Sequence, residues 1–412
     1  MTPNDRTIKK QTPEIFRGDI DLAENTAYIA YMFNQANRGL TYELYKYARQ
    51  IEERDFEISG LLNLRKSSVK SSKAYAVPQE HDDTPLAREI AEFTQDAMNN
   101  IMPNPQTGMT DFEGLQDNMM HSLMSGISCS QIHWKTGGAG IEGFEYFEPM
   151  NFSFYNSYKP RLKYRDSETY KNLTPYKWVV HYHNPRGGDA TRGGLIRPLA
   201  YLYFFKSYVY KFNIRAIEKF LIPFVSLMAD PESLKDDTKY AALLAQLQNF
   251  GADGGGVFSQ GSELKYEQIK GDQADIYEKF HTMCRRQASQ LIIGSDSGVF
   301  AEGSNRSTAS VQDSVRKSII MNDEADLRRS IRSQVFKPLV EFNFGKEGLK
   351  HIPDVQFRNE LSLTEWSQVL PEMAKAGYEL AETDLKKYTG YNWVKAETES
   401  TETINVQENT DG

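Results

Sequence analysis

The stretch SQLIIGSDSGVFAEGSNRSTASVQDSVRKSII, residues 289–320, decides how this chain is read. It leaves the apolar end of one helix, crosses sixteen mostly small and polar residues from Ser295 to Ser310, and enters a second helix at Val311. Connections between packed helices are usually short, and a loop of this length without structure of its own is commonly functional. The loop is therefore the first candidate for function, and the helices around it set the frame.

On its N-terminal side a helix is predicted from Asp272 to Ile293, with Ile276, Phe280, Met283, Gln287 and Leu291 on one face. On its C-terminal side Val311, Val315, Ile319, Leu327, Ile331, Val335 and Leu339 support a helix ending near Phe344. At 1.5 Å per residue that rod is on the order of 50 Å long. Upstream, a helix from Pro198, an acceptable first-turn proline, to about Phe220 carries Tyr201, Tyr203, Phe204, Phe205, Tyr208, Tyr210 and Phe212. These rings do not fit on one stripe, so the helix must bury several faces, within its own subunit and beyond it. Between the two helices, residues 224–270 read as a small insert: a strand FVSLM, a helix DTKYAALLAQLQNFG and a hairpin-like GGGVFSQGSELKYEQI.

The N-terminal half is mixed. Residues 1–25 read as an extended arm, and helical text begins at Leu40, with Asp55 a break between two helices. A strand KAYAVP, a helix from Leu86 to Ile101 and a helix from Asp111 to Gly126, with Gly126 as C-cap, come next. ISCSQIHWK, FEYFEP, FSFYN, RLKYRD and KWVVHYHN are short, aromatic or β-branched, and punctuated by Gly, Pro or Asn, as in an antiparallel meander. The fold class is α+β. After Phe344 come a strand-like DVQFRNELS, a helix from about Trp366 to Lys375, and an acidic tail from Ala396 that reads as disordered.

Composition narrows the function. Of 412 residues, 39% are hydrophobic and 25% charged, with a net charge of −8, so general attraction to a phosphate backbone is not expected and any DNA contact must be local or weak. Cys129 and Cys284 read as buried thiols of a reducing compartment. The N-terminus lacks the apolar run of a secretory signal, and the most apolar window, LAYLYFFKSYVY, is too short to span a bilayer and contains Lys206. The expectation is a protein made in the cytoplasm and not inserted in a membrane.

Catalytic motifs fail on context. GADGGGVFSQG lacks the Lys-Ser/Thr of a phosphate loop. HYH places His181 and His183 on one strand face, where two imidazoles could share a metal, but no further ligands lie nearby. GISCS lacks the second glycine of a nucleophile elbow. Arg328, Arg329 and Arg332 alternate with Asp323, Glu324 and Asp326, which reads as intersubunit or intrahelical pairing. No catalytic residue, cofactor or metal is assigned.

Several phrases, in order, resemble the portal proteins of tailed bacteriophages, Mu-type branch: ERDFEISGLLNLRKSSV (53–69), SLMSGISCSQIHW (122–134), KWVVHYHNP with GGLIRPLAYLYFFK (177–206), IEKFLIPF (217–224) and ASQLIIGSDSGVFAEGSNRSTASVQDSV (288–315). The resemblance implies a ring, usually of twelve subunits, at one capsid vertex, through which double-stranded DNA is packaged and ejected. It implies a wing (1–197), two stem helices (198–222 and 272–294) and a clip between them (223–271). It also implies a tunnel loop (295–310), a long helix toward wing and crown (311–345), a C-terminal wing or short crown (346–395) and a tail (396–412). Tunnel residues would be Ser297, Gly298, Glu302, Gly303, Ser304, Asn305, Arg306 and Ser307, with Arg316 and Lys317 beyond them, the cations making transient phosphate contacts. Stem contacts would come from Tyr201, Phe204, Phe205, Tyr208, Phe212, Ile276, Phe280, Met283 and Leu291. Partners would be further copies of the chain, the major capsid protein, the terminase motor and a head–tail connector. Twelve copies would carry 12 × (−8) = −96 formal charges, which disfavours tight DNA binding and suits sliding. The competing readings are a metal-dependent nucleic-acid-processing enzyme using the histidines, and another phage connector ring.

Overall fold

The computed structural model describes residues 26–154, 161–163, 170–221, 224–228, 237–239, 241, 263–267, 272–295, 306–359, 363–375 and 377. The chain divides into two units, residues 1–70 with 76–356, and residues 71–75 with 357–412. The expected N-terminal arm and acidic tail lie outside the described residues.

The first unit opens with α1 (Thr26–Asn37), α2 (Tyr42–Arg54) and α3 (Phe56–Lys70). The sequence reading missed α1. Its buried stripe is only Ile29, Met32 and Ala36, and further aromatic residues around the helix blur the period. Asp55 does separate α2 from α3, and its Oδ1 accepts the backbone N–H groups of Glu57 at 3.1 Å and Ile58 at 3.0 Å, capping α3. After β1 (Ser72–Val77) comes α4 (Pro85–Asn99), with Pro85 in its first turn and Thr84 accepting the Ala87 N–H at 3.2 Å. The helix expected over Asp111–Gly126 is two: after β2 (Met109–Thr110), α5 (Phe112–Met120) and α6 (Ser122–Ser125) meet at His121.

Gly126 ends α6 at φ +84°, as its position predicts. A Cβ there would lie 2.5 Å from the carbonyl carbon of Gly193, and one on Gly194 (φ +72°) would lie 2.3 Å from the Gly126 nitrogen. Two backbone segments therefore cross with no room for side chains, which fixes where the next long helix starts relative to the sheet.

The meander follows as β3 (Ile127–Trp134), β4 (Ile141–Phe147), β5 (Phe152–Ser153), β6 (Arg161–Lys163), β7 (Tyr170–Asn172) and β8 (Trp178–Tyr182). One antiparallel sheet has the order β2-β4-β3-β8, with Cys129 opposite Phe147 on one side and Val180 on the other. A second has the order β5-β6-β7. Phe144, Phe147, Phe152 and Trp178 fill the adjoining core, Trp178 meeting Phe147 and Phe152 edge to face at 5.1 and 5.8 Å.

Helix α7 (Ile196–Leu221) starts two residues before Pro198. β9 (Phe224–Met228) pairs antiparallel with β10 (Glu263–Glu267), Ser226 facing Lys265. Of the insert's expected helix, residues 237–239 and 241 are described, all helical; its Gly-rich run lies outside the described residues. α8 (Asp272–Ile293) matches its predicted bounds.

The long rod differs from expectation in two ways. α9 (Arg306–Ile331) starts five residues before Val311, so Arg306–Ser310, read as loop, are helical. Small polar residues give a helix no apolar period of their own there. The rod is also interrupted by a π-helical turn, Arg332–Phe336, before α10 (Lys337–Gly348). Pro338 has no N–H to give to the carbonyl of residue 334, so the uninterrupted α-helical ladder cannot run through it.

In the second unit β1 pairs with β11 (Asp354–Asn359), the Arg358 guanidinium lies 5.2 Å from the Tyr75 ring centre, and α11 (Leu363–Lys375) follows.

Candidate functional site

Helices α7 and α8 form an antiparallel pair, rooted at the corner between α2 and α3. The root is a charge cluster. Lys206 Nζ donates to both oxygens of Asp55 at 2.8 and 2.9 Å and to Glu57 Oε2 at 2.6 Å, with all three side chains buried. Burial pulls the lysine pKa down, but the bonds to Asp55 and Glu57 outweigh it, and the net shift is upward. From α8, His281 Nε2 lies 3.4 Å from Glu57 Oε1 and meets the Tyr210 hydroxyl at 2.5 Å, while Arg285 Nε is 3.7 Å from Glu57. Asp55 thus caps α3 and holds α7 at once.

The base of the α8–α9 connection is held by Arg65 of α3. Its Nε and Nη2 donate to Asp323 of α9 at 2.7 and 2.8 Å, and its Nη1 donates to the Ile292 carbonyl at 2.8 Å. That carbonyl is one of the last of α8, which lacks a partner inside its own helix. Asp323 is therefore not a surface partner of Arg328 or Arg329, as the alternating charges suggested. Asp326 does pair with Arg329.

Of the expected tunnel residues, Ser297, Gly298, Glu302, Gly303, Ser304 and Asn305 lie outside the described residues, and Arg306 and Ser307 form the first turn of α9. Arg316 is turned inward, its Nη2 donating to Ser68 Oγ of α3 at 2.7 Å. Lys317 is exposed and pairs with Asp313 one turn back at 2.8 Å.

The aromatic helix has a buried face and an outward stripe, with Tyr210 partly exposed on the side that meets His281. Ile196, Leu199, Ala200, Phe204 and Lys206 are buried, whereas Tyr201, Phe205, Tyr208 and Phe212 are 40–49% exposed and fall on one stripe. Phe204 packs against Phe205 and Tyr208, and Tyr208 meets Phe212 at 4.7 Å. On α8, Cys284, Ala288 and Ile292 face inward, Met283 is exposed, and Phe280 and Leu291 are half-buried; nothing is described of the Ile276 side chain. Both cysteines are buried and free, and burial raises each thiol's pKa.

The histidines have structural partners. His181 Nδ1 meets Ser330 Oγ at 2.9 Å, and His183 Nδ1 lies 3.9 Å from Asp323. Burial lowers their pKa values to about 3 and about 4, so both imidazoles are neutral near pH 7. Among the described residues no group of three or more His, Cys, Asp or Glu is placed to hold a metal ion. In GISCS, Ser128 Oγ donates to the Asn118 carbonyl at 2.6 Å and Ser130 is buried mid-strand, which is not the strand-to-helix turn of a nucleophile elbow. No described helix is long and apolar enough to cross a membrane.

The family model for the portal protein of Mu bacteriophage matches residues 45–391. The chain belongs to this portal family. It is 23% identical over 306 residues to the Mu-like prophage FluMu protein gp29 of Haemophilus influenzae, covering 72% of this chain and 56% of that protein. It is 23% identical over 358 residues to the portal protein of Escherichia phage Mu, covering 84% and 67%. The chain thus spans between 56% and 67% of the length of these relatives. A chain in the neck of a native gene transfer agent particle, computed with C12 symmetry, aligns with a TM-score of 0.50 over 81% of this chain and 89% of that one. At 10% identity that likeness concerns the fold alone. The portal fold is α+β, as the sequence implied.

Proposed function

We propose that this chain is a structural subunit of a phage portal: a ring of copies, twelve by preference, at one capsid vertex, forming the channel through which double-stranded DNA is packaged and ejected. The observation that carries the reading is the family match across residues 45–391. The likeness to a chain from a neck of C12 symmetry supports the copy number. In this reading α7 and α8 are the stem and residues 223–271 the clip, which meets the packaging motor and the head–tail connector. The N-terminal α+β block is the wing against the capsid protein, and the segment ending at Arg306 is the tunnel loop. The role is mechanical rather than catalytic, and its place is the virion.

The channel should touch DNA weakly. Arg316 and Lys317 both have protein partners in the single chain, and the net charge is −8, so the tunnel offers few unpaired cations to the duplex. Negative-stain microscopy and native mass spectrometry of the purified chain should show closed rings with a central hole. A monomer with metal-dependent nuclease activity would overturn the reading. Deletion of residues 298–306 should leave ring formation intact and lower DNA retention in filled heads; loss of the ring itself would contradict the loop assignment.

A further inference from the structure

The outward faces of α7 and α8 carry stripes of the same spacing and complementary chemistry. On α7 the stripe is Tyr201, Phe205, Tyr208 and Phe212, separated by 4, 3 and 4 residues. On α8, Lys279, Met283, Arg286 and Gln290 are all exposed and also separated by 4, 3 and 4. That alternation is the seam spacing of helices that interlock. Among the described residues neither Lys279 nor Arg286 has a hydrogen bond or an ion pair. Their face lines an open depression of about 610 Å³.

The stripes point in opposite directions. Tyr210 on α7 and His281 on α8 mark where the two helices touch within one chain, their rings 5.3 Å apart. At about 100° per residue, each stripe is centred roughly 170° around its helix from that contact. The pair is therefore a plank with rings along one edge and cations, a thioether and an amide along the other. A cyclic assembly needs two such different, complementary edges, because its contacts are head-to-tail.

The register follows from the same contact. Rotation about an axis parallel to the helix pair preserves height along that axis, so residues level within one chain remain level between neighbours. Tyr210 is level with His281, and the helices are antiparallel. Counting outward, Phe212 is level with Lys279, Tyr208 with Met283, Phe205 with Arg286 and Tyr201 with Gln290. We infer that the aromatic stripe of one copy docks on the Lys279–Gln290 stripe of the next copy in this register. Lys279 and Arg286 then lie over phenyl faces, the Met283 sulfur lies against the Tyr208 ring, and the Gln290 amide reaches the Tyr201 hydroxyl. This pairing rests on the ring reading above and specifies which surfaces close it.

Tyr208→Cys and Met283→Cys combined in one chain test the register. Both positions are nearly half exposed in the single chain, and of the buried residues only Phe204 loses a ring contact, that to Tyr208. Oxidation should produce a ladder of covalent multimers up to the closed ring, while each single variant, with Cys129 and Cys284 buried, should stay monomeric on a denaturing gel. Rings visible by microscopy without a ladder from the pair would overturn the docking and leave the ring reading standing. Absence of rings from the unmodified chain would instead sink the ring reading. As a second measurement, Lys279→Glu with Arg286→Glu should abolish assembly, and adding Phe205→Arg with Phe212→Arg should restore it; assembly unaffected by the first pair would also overturn the docking.

Discussion

Replacing Asp323 by alanine should cost about 3–5 kcal/mol, because it leaves the Arg65 guanidinium buried without a counter-charge. The side chains of Arg65 and Asp323 are only 8% and 3% exposed, so water cannot take the place of the lost carboxylate. Two hydrogen bonds of 2.7 and 2.8 Å disappear, and only the bond to the Ile292 carbonyl remains. His183 does not compensate, since its imidazole is neutral near pH 7. A domain is typically stable by about 5–15 kcal/mol, so this one change removes a large share of the total. Arg65→Met should be costly for the mirror-image reason. The double variant Arg65→Met/Asp323→Leu strands no charge, and should cost less than the sum of the singles by about 2 kcal/mol. The assay is equilibrium unfolding in urea of the two singles and the double, compared through their midpoints at a common slope. If Asp323→Ala costs under about 1 kcal/mol, or if the double equals the sum of the singles, the pair does not clamp α3 to α9 and the reasoning fails.

Lys206→Met should destabilise by a similar ~3–5 kcal/mol by stranding the buried Asp55 carboxylate and leaving Glu57 to Arg285 and His281 alone, with Lys206→Arg recovering part of it; a thermal melt matching the unaltered chain would refute the root cluster. Gln334 in the π-helical turn accepts the Val180 N–H and donates to the Val180 carbonyl, both at 2.8 Å, so Gln334→Glu should cost about 1–3 kcal/mol by setting two acceptors face to face, and an unchanged unfolding midpoint would count against that clamp. Acid should weaken the fold through His181 and His183. Their folded pKa values, about 3 and about 4, lie below the ordinary value of 6.5, so the unfolded chain binds more protons. Stability is then fully present well above pH 6.5 and falls toward pH 4 by up to about 1.4 kcal/mol per pH unit for each histidine. His181→Gln with His183→Gln should flatten that slope in urea titrations at stepped pH, and a slope unaltered by the pair would assign the acid loss to other groups.

Most elements were legible where a residue has a local job. Asp55 as a helix break, Gly126 as a C-cap, Pro198 in a first turn and the alternating meander each follow from backbone chemistry acting within a few residues. What escaped was set by distant partners. Lys206 looked like a charge spoiling an apolar window, yet its partners lie some 150 positions earlier in the chain, and no local pattern announces them. Asp323 sat among alternating charges that imply exposed pairing, while its partner, Arg65, is on another helix. Of the expected stem contacts on α8, Met283 lies on the outward stripe and Phe280 and Leu291 are half-buried; the other members of that stripe, Lys279, Arg286 and Gln290, carry no hydrophobic signal in the sequence. The early start of α9 went unseen because Ser307, Thr308 and Ser310 do not advertise helix.

The amide of Gln334 occupies the middle of β8, the last strand of its sheet. A side chain plugging an outer strand leaves no continuous row of vacant donors and acceptors onto which an extended segment could add. Where many copies crowd together before they find their proper neighbours, that plug closes the route to sheet-to-sheet aggregation through this margin.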